Sequence, residues 1–476
     1  MSAPAAADPS QLTATDLLAL YRKGELSPVE ATEAAFAQIK RHDGAVNAFC
    51  HLDREGALEQ ARASEARWRT GAPKGLVDGV PTTVKDLTYV RGWPTLRGSR
   101  LTDAAQLAPC DAPAVARLRE QGAVLLGKTT TPEFGWKGVT DSPRTGITRN
   151  PWRTDRTPGG SSGGAAVAAV LGMGALHTGT DGAGSVRIPS AFGGCFGLKP
   201  SYGRVPLYPA SLMGTLAVLG PMTRTVADAA LMMSVMAAFD PLDSTAERGA
   251  APDYRLGLEG GIKGLRIAYS PRLGKHVPKV DPEVEGAVRR AADDLAGLGA
   301  IVSEADPDLP GDMEETLLTL WSAGSATILA GYGEGAGKEC DPGFLSMVER
   351  GRRVSGVDLM RAGLRRAEMS LAMMRFHARY DLLVTPTMPL PAFEAGRDVP
   401  VSGDWGRDWW KWTPFTFPFN LTMQPAASCP CGFSKDGLPI GLQIVGPLGA
   451  DALVLRAARA FEGLRPFKTT VRPLAA

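Results

Sequence analysis

The 476-residue chain has no surplus of charge of either sign: 52 Lys and Arg stand against 50 Asp and Glu, a net +2. Without a basic excess there is no field to hold nucleic acid or an anionic membrane, and neither is expected as a partner. Cysteine is scarce too. Cys50, Cys110, Cys195, Cys340, Cys429 and Cys431 are too few for a disulfide scaffold. Cys429 and Cys431 have no second pair or nearby His to complete a zinc set. They read as reduced, mostly structural thiols. Long apolar runs are missing as well: Ala165 to Leu176 is the longest, mostly Ala and Gly, and too short to span a bilayer. The opening MSAPAAADPS has neither the basic stretch nor the apolar centre of a secretory signal, so a cytoplasmic location is expected. With no metal-ligand cluster and no dinucleotide loop, no metal and no cofactor are expected.

What is present suits a folded enzyme. Apolar residues make up 44% and charged residues 21%, enough for a sizeable core. The 56 glycines exceed the roughly 33 that average usage would supply. They avoid low-complexity runs, so they imply tight turns and close backbone contacts. The length allows one large domain or two to three smaller ones. No internal repeat and no Ser/Pro linker separates the halves, which favours a single domain over 1–476.

Local signals alternate. Ser27-Pro28-Val29-Glu30 is a capping box with Pro at the first helical position, and Val29, Phe36 and Ile39 follow at helical spacing. Val115 to Arg119 reads as helix, and Gly122 then leads into the strand Val124-Leu125-Leu126. Leu265 to Tyr269 reads as a strand, followed by a helix opened by Asp281-Pro282 and running to Leu298. Ile301-Val302, Leu382-Leu383-Val384 and Leu442 to Val445 are further strands. This alternation predicts a layered α/β fold.

Chemistry concentrates in Thr157-Pro158-Gly159-Gly160-Ser161-Ser162-Gly163-Gly164, which runs into an Ala-rich helix. A phosphate loop would end in Lys and Ser/Thr, and Ala165-Ala166 stand there instead. Gly159 to Gly163 fits G-x-S-x-G, but a nucleophile elbow follows an apolar strand, and Asp155-Arg156-Thr157-Pro158 is not one. Two readings remain: a purely structural glycine turn, or a turn holding serine hydroxyls at a helix N-terminus. Downstream, Gly179-Thr180-Asp181-Gly182-Ala183-Gly184-Ser185 places a serine behind Gly-Ala-Gly, where several unshielded N–H groups can face an acyl oxyanion. Upstream, Gly79 to Asp86 carries Lys85 at the end of an apolar, strand-like stretch. A lysine moved out of water has its pKa lowered from ~10.4 and can act as a base. Serine with lysine is an alternative to the histidine-based triad. His177, eight residues before Ser185, is the rival base, and its plain reading is a core or strand-edge residue.

At this point the sequence resembles the amidase signature family, over roughly Leu12 to Pro473. The stretch from Gly159 to Pro189 carries the likeness. Gly127-Lys128-Thr129, Asn150-Pro151-Trp152, Gly197 to Arg204, Gly220 to Thr225 and Gly437 to Gln443 flank it in order. The resemblance implies a central twisted mixed β-sheet covered by helices on both sides. A helical segment would occupy about 10–70 and the signature core about 75–240, the remainder completing the sheet and the substrate pocket. It further implies a catalytic triad of Ser185 as nucleophile, Ser161 on a cis peptide as proton relay, and Lys85 as buried base. Backbone N–H groups of Gly182, Ala183, Gly184 and Ser185 would form the oxyanion hole. Ser162 would support the lysine, while Asp181 and Arg187 brace the nucleophile loop. Ala183 departs from the Gly of many members, a change tolerated unless that residue needs φ > 0. The implied partner is a small-molecule amide, and the family is often dimeric, which admits a homodimer whose interface the sequence does not show.

Substrate choice is less legible. Trp405, Trp409, Trp410 and Trp412 are four of nine tryptophans, interleaved with Asp404, Arg407, Asp408 and Lys411 and followed by Phe415, Phe417 and Phe419. Trp409, Trp410 and Trp412 are expected at the substrate entrance, favouring aryl or bulky apolar groups, with a packed loop or subunit contact as the alternative. Gly331 to Gly343 reads as a lid or a plain surface loop. The stretch from Thr130 to Trp136 resembles free-standing bacterial amidases more than the tRNA-dependent amidotransferase subunit. An amide hydrolase with some ester or carbamate activity is therefore the leading expectation, an amidotransferase A-type subunit needing partner chains the alternative.

Overall fold

The computed structural model describes residues 8–333, 335–402 and 405–467. Its strands are β1 (Phe49–Leu52), β2 (Pro81–Lys85), β3 (Val124–Thr129), the small hairpin β4 (Asp141–Ser142) and β5 (Gly146–Ile147), β6 (Leu176–Asp181) and β7 (Phe196–Lys199). Then follow β8 (Val218–Thr223), β9 (Arg266–Tyr269), β10 (Ile301–Glu304), β11 (Leu382–Pro386), β12 (Ala426–Phe433) and β13 (Pro439–Val445). All but the hairpin join one sheet of eleven strands in the order β1-β3-β2-β6-β8-β7-β12-β13-β11-β9-β10. Pairing is parallel through β3-β2-β6 and through β11-β9-β10, and antiparallel elsewhere. Every residue of β2, β3, β8, β11 and β13 is buried, as strands covered on both faces must be. Edge strand β10 is mostly exposed.

Local signals and observed elements agree closely. The helix Pro28–Val46 opens on its capping box, Glu30 N–H donating to Ser27 Oγ at 3.1 Å and Ser27 N–H to Glu30 Oε2 at 2.8 Å. Helices Pro113–Glu120 and Pro282–Gly297 stand where their patterns place them.

The helix Gly163–Val170 has all eight residues buried. On one side Val167 and Ala168 pack with Phe36, Ile39, Val124 and Leu126; on the other, Ala165, Ala166 and Ala169 meet Val186, Cys195 and Met222. A helix enclosed on every side admits only small side chains, which accounts for its Ala and Gly content. A Cβ at Gly164 would come within 2.5 Å of the Ala48 carbonyl.

Candidate active site

Three segments far apart in sequence meet beside the C-terminal ends of β2 and β6. Lys85 ends β2, and Asp181 ends β6 just ahead of the turn to Ser185. Parallel pairing, Thr83 beside His177, delivers both ends to the same edge of the sheet. The third segment, 159–162, leads into the buried helix Gly163–Val170.

Lys85 is fully buried. Its Nζ donates to Ser161 Oγ at 2.7 Å, to Ser162 Oγ at 2.8 Å and to Thr180 Oγ1 at 2.8 Å. Hydroxyls surround it instead of a paired carboxylate. Loss of water therefore holds the ammonium well below the ordinary lysine pKa, against the weaker opposing field of Asp181. The Gly160–Ser161 peptide is cis. Ser162 N–H donates to the Ser185 carbonyl at 3.1 Å, tying the two serine-bearing segments together.

Asp181 organises the turn that carries Ser185. It accepts from the N–H of Gly184 at 2.7 Å and of Val186 at 3.1 Å, and from Nε and Nη2 of Arg187, both at 3.0 Å. Arg187 reaches onward to the Thr416 carbonyl and Gln443 Oε1, both at 2.8 Å, and to Asn420 Oδ1 at 2.6 Å. Burial alone would raise the Asp181 carboxyl. The charge and hydrogen bonds of Arg187, with Lys199 and Asn420, hold it well below the usual carboxylate range. Gly184 has φ +130, and a Cβ there would lie 2.5 Å from Thr416 Oγ1. Ala183 is not among the residues with positive φ, so its methyl group strains nothing.

Ser161 and Ser185 open on a cavity of about 510 Å³. Its walls are largely apolar, with Leu87, Phe134, Leu207, Trp321, Ile328 and Tyr332 among them, and Arg97 is the one charged residue in its described lining.

A family model for amidases matches residues 30–455. An acylamidase of Rhodococcus erythropolis is 39% identical over 461 residues, which cover 96% of each chain. The chain belongs to the amidase signature family. The A-type subunit of the glutamyl-tRNA(Gln) amidotransferase of Myxococcus xanthus (strain DK1622) is 38% identical, with 98% of this chain and 99% of that one covered. A solved bacterial aryl acylamidase of the amidase signature family superposes with a TM-score of 0.88 at 30% identity, over 96% of both chains.

This amidase signature chain thus brings Lys85, Ser161, Ser162 and Ser185 to one place, with Asp181 and Arg187 directly behind them. Of the expected oxyanion donors, Gly184 has its N–H committed to Asp181. Among the described residues, Gly182, Ala183 and Ser185 have no protein acceptor for theirs. His177 does not line the cavity. Its Nδ1 lies 2.8 Å from Thr83 Oγ1, and burial, then the charge of Arg224, push its pKa down to about 3.

The tryptophan cluster sits elsewhere than expected. Trp409, Trp410 and Trp412 are buried in a 3-10 turn and do not line the cavity. Trp412 stacks on Phe192 at 6.0 Å, Trp410 donates to Glu314 at 3.1 Å, and Trp409 packs against Trp321 at 5.6 Å. Trp410 lines a separate open groove with Asp312, Glu315 and Arg350, and Trp409 stands against Trp321, which does line the cavity. Asp404, interleaved with them in the sequence, lies outside the described residues.

The aromatic residues that do line the cavity are Phe134, Tyr208, Trp321 and Tyr332. Phe134 falls in the segment singled out at Thr130 to Trp136, and Tyr332 in the Gly-rich stretch. The latter forms a 3-10 turn at Ala336–Glu339, with Gly331 on the cavity and Cys340 buried. Tyr208, Trp321 and Arg97 carried no sequence signal, because only the fold brings them there.

Among the described residues, no helix is long and apolar enough to cross a membrane. No group of three or more His, Cys, Asp or Glu among them is placed to hold a metal ion.

Proposed function

We propose that this amidase signature enzyme hydrolyses carboxylic amides through an acyl-enzyme on Ser185, with Ser161 as proton relay and neutral Lys85 as base. One observation carries the reading: the Nζ of a fully buried lysine, stripped of water, lies 2.7 Å from Ser161 Oγ. A lysine so placed is a poor cation and a good proton acceptor.

The steps balance. Ser185 Oγ attacks the carbonyl carbon while its proton passes to Ser161, which gives its own to Lys85 Nζ. The oxyanion forms toward the N–H groups of Gly182, Ala183 and Ser185, which have no acceptor among the described residues. The proton returns along the same path to the amide nitrogen, the C–N bond breaks, and the amine leaves. Water then gives up a proton by that route and attacks the ester, releasing the acid and restoring Ser185. Protonating the leaving nitrogen is the demanding step for an amide. Esters and carbamates fit the same machinery as side substrates.

The cavity's apolar and aromatic walls favour linear amides with an aryl or bulky apolar group. The alternative, an A-type amidotransferase subunit that needs partner chains, is supported by the 38% identical relative. Release of nitroaniline from 4-nitroacetanilide by the purified chain tests the proposal, with Ser185→Ala as blank. Turnover lost in the variant supports a self-sufficient amidase. If the chain labels with a fluorophosphonate at Ser185 but releases neither nitroaniline nor ammonia from simple carboxamides, the amidotransferase reading takes its place.

A further inference from the structure

A second buried lysine has surroundings opposite to those of Lys85. Lys137 is 3% exposed and lies two residues beyond Gly135, which lines the cavity. Its Nζ donates to Asp141 Oδ1 at 2.7 Å, to Asp341 Oδ2 at 2.9 Å and to Asp398 Oδ1 at 2.7 Å. Burial would lower the ammonium's pKa, but the three carboxylates hold it above the ordinary lysine value. A cation that never gives up its proton is of no use as a base.

Its use lies in what it joins. Asp341 is the N-cap of the helix Pro342–Gly351, accepting from Gly343 N–H at 2.8 Å. The segments of Asp341 and of Lys137 both carry cavity wall: Tyr332 shortly before Asp341, Phe134 shortly before Lys137. The rings of Phe134 and Tyr332 lie 5.7 Å apart, and Phe344, just beyond Asp341, lies 5.2 Å from Phe134. Asp341 N–H also donates to Glu133 Oε2 at 2.6 Å. A Cβ at Gly343 would run into the Trp136 ring, so the two segments meet with no slack. The Trp136 carbonyl in turn accepts from Nε1 of Trp321, another aromatic residue of the cavity, at 3.1 Å.

We propose that Lys137 is a positioning residue that sets the preference for aryl substrates. By drawing Asp341 onto the Glu133–Lys137 segment, it fixes the spacing of Phe134 and Tyr332, against which the aryl group packs. This rests on the proposed function, since it names what selects the substrate at that same site. Without the ammonium, three carboxylates in little water face and repel one another, and the Asp341 segment shifts outward with its share of the wall.

Two fluorophosphonates test this, one with a phenyl-bearing chain and one with a short alkyl chain, because labelling of Ser185 reads recognition without amide turnover. In Lys137→Met the aryl-over-alkyl ratio of second-order labelling rates is expected to fall about 3- to 10-fold, the alkyl rate staying within about threefold of wild type. A ratio does not depend on how much of a weakened variant is folded. Asp341→Asn, which can still cap its helix, should lower the ratio in the same direction and serves if Lys137→Met does not fold. Adding Tyr332→Ala to either variant should deepen the fall by less than about twofold, because both changes act on one ring. An unchanged ratio, or losses that multiply with Tyr332→Ala, overturns the proposal. A wild-type chain that does not label at Ser185 would instead remove the proposed function, and this inference with it.

Discussion

Arg187 and Asp181 meet at 3.0 Å with no exposed surface on either side chain, and the turn bearing Ser185 lies between them. Removing one partner of such a pair strands the other as a buried charge, at a cost of roughly 3–5 kcal/mol. Arg187→Met is therefore expected to lower urea stability at pH 7 by that order and to slow fluorophosphonate labelling of Ser185. The sign with pH follows from the depressed carboxyl. Stability from Asp181 is fully present above the unfolded carboxyl value of ~3.9 and is lost as pH falls through the lower folded value. A variant as stable as wild type at pH 7 would show that the pair does not hold the turn.

Under the proposed mechanism, Lys85 acts as a base only in its neutral form. Its folded pKa lies well below the ordinary lysine value, so the neutral form dominates above that lowered pKa and is lost as pH falls through it. The acid limb of kcat/KM for anilide hydrolysis should accordingly lie well below ~10.4. Lys85→Ala should reduce the rate on the order of 10³-fold or more. His177→Gln should leave it within about threefold, since a ring whose pKa is pushed to about 3 has no proton to manage near neutrality. A limb at the ordinary lysine value, or full activity in Lys85→Ala, would defeat the mechanism.

Trp412 and Tyr332 separate packing from recognition. Trp412 is wholly buried against Phe192 and Phe393, and Trp412→Ala should cost about 3–5 kcal/mol of stability. Its preference between aryl and small aliphatic amides should not change. Tyr332 lines the cavity. Tyr332→Ala should cut the aryl preference by about 3- to 10-fold, an aromatic contact's worth. Selectivity that moves with Trp412 and not with Tyr332 would reverse the assignment.

Arg97 stands at the cavity with φ 54, and its nearest polar side-chain contact is the Tyr89 hydroxyl at 3.5 Å. A cation without a paired carboxylate among the described residues is free to meet an anionic substituent on a substrate. A charge-assisted hydrogen bond contributes about 1.5–3 kcal/mol. Anilides bearing a carboxylate on the acyl chain should lose about 10- to 100-fold in kcat/KM with Arg97→Ala, while neutral anilides lose little. Equal losses on both would mean that Arg97 only supports the loop.

Elements set by short-range chemistry were readable residue by residue. The capping box at Ser27 and Glu30, the strand ending on Lys85 and the Ala-rich helix after Ser162 need only neighbouring residues to be recognised. Thr180 shows what was not readable. It reaches Lys85 because β2 and β6 align in parallel although the two residues are far apart in sequence, and nothing local specifies that register. The tryptophans show another limit. A run of large aromatic side chains has the same composition whether it walls a pocket or fills the space between layers. Only the surrounding sheet and helices decide, and here they enclose Trp409, Trp410 and Trp412 while leaving Tyr332 on the cavity.

The junction of β2 with β6 has a bearing on how the chain folds. These neighbours are joined by a long crossover that itself contains β3, and the serine segment before Gly163 must seat between them. No early local structure can assemble the pocket, because loop closure over that span is repaid only once the sheet has formed. During refolding, helix content should therefore return first, and fluorophosphonate-reactive Ser185 should appear only with the last ordering of the sheet. The reactive serine would then serve as a clock for completion of the fold.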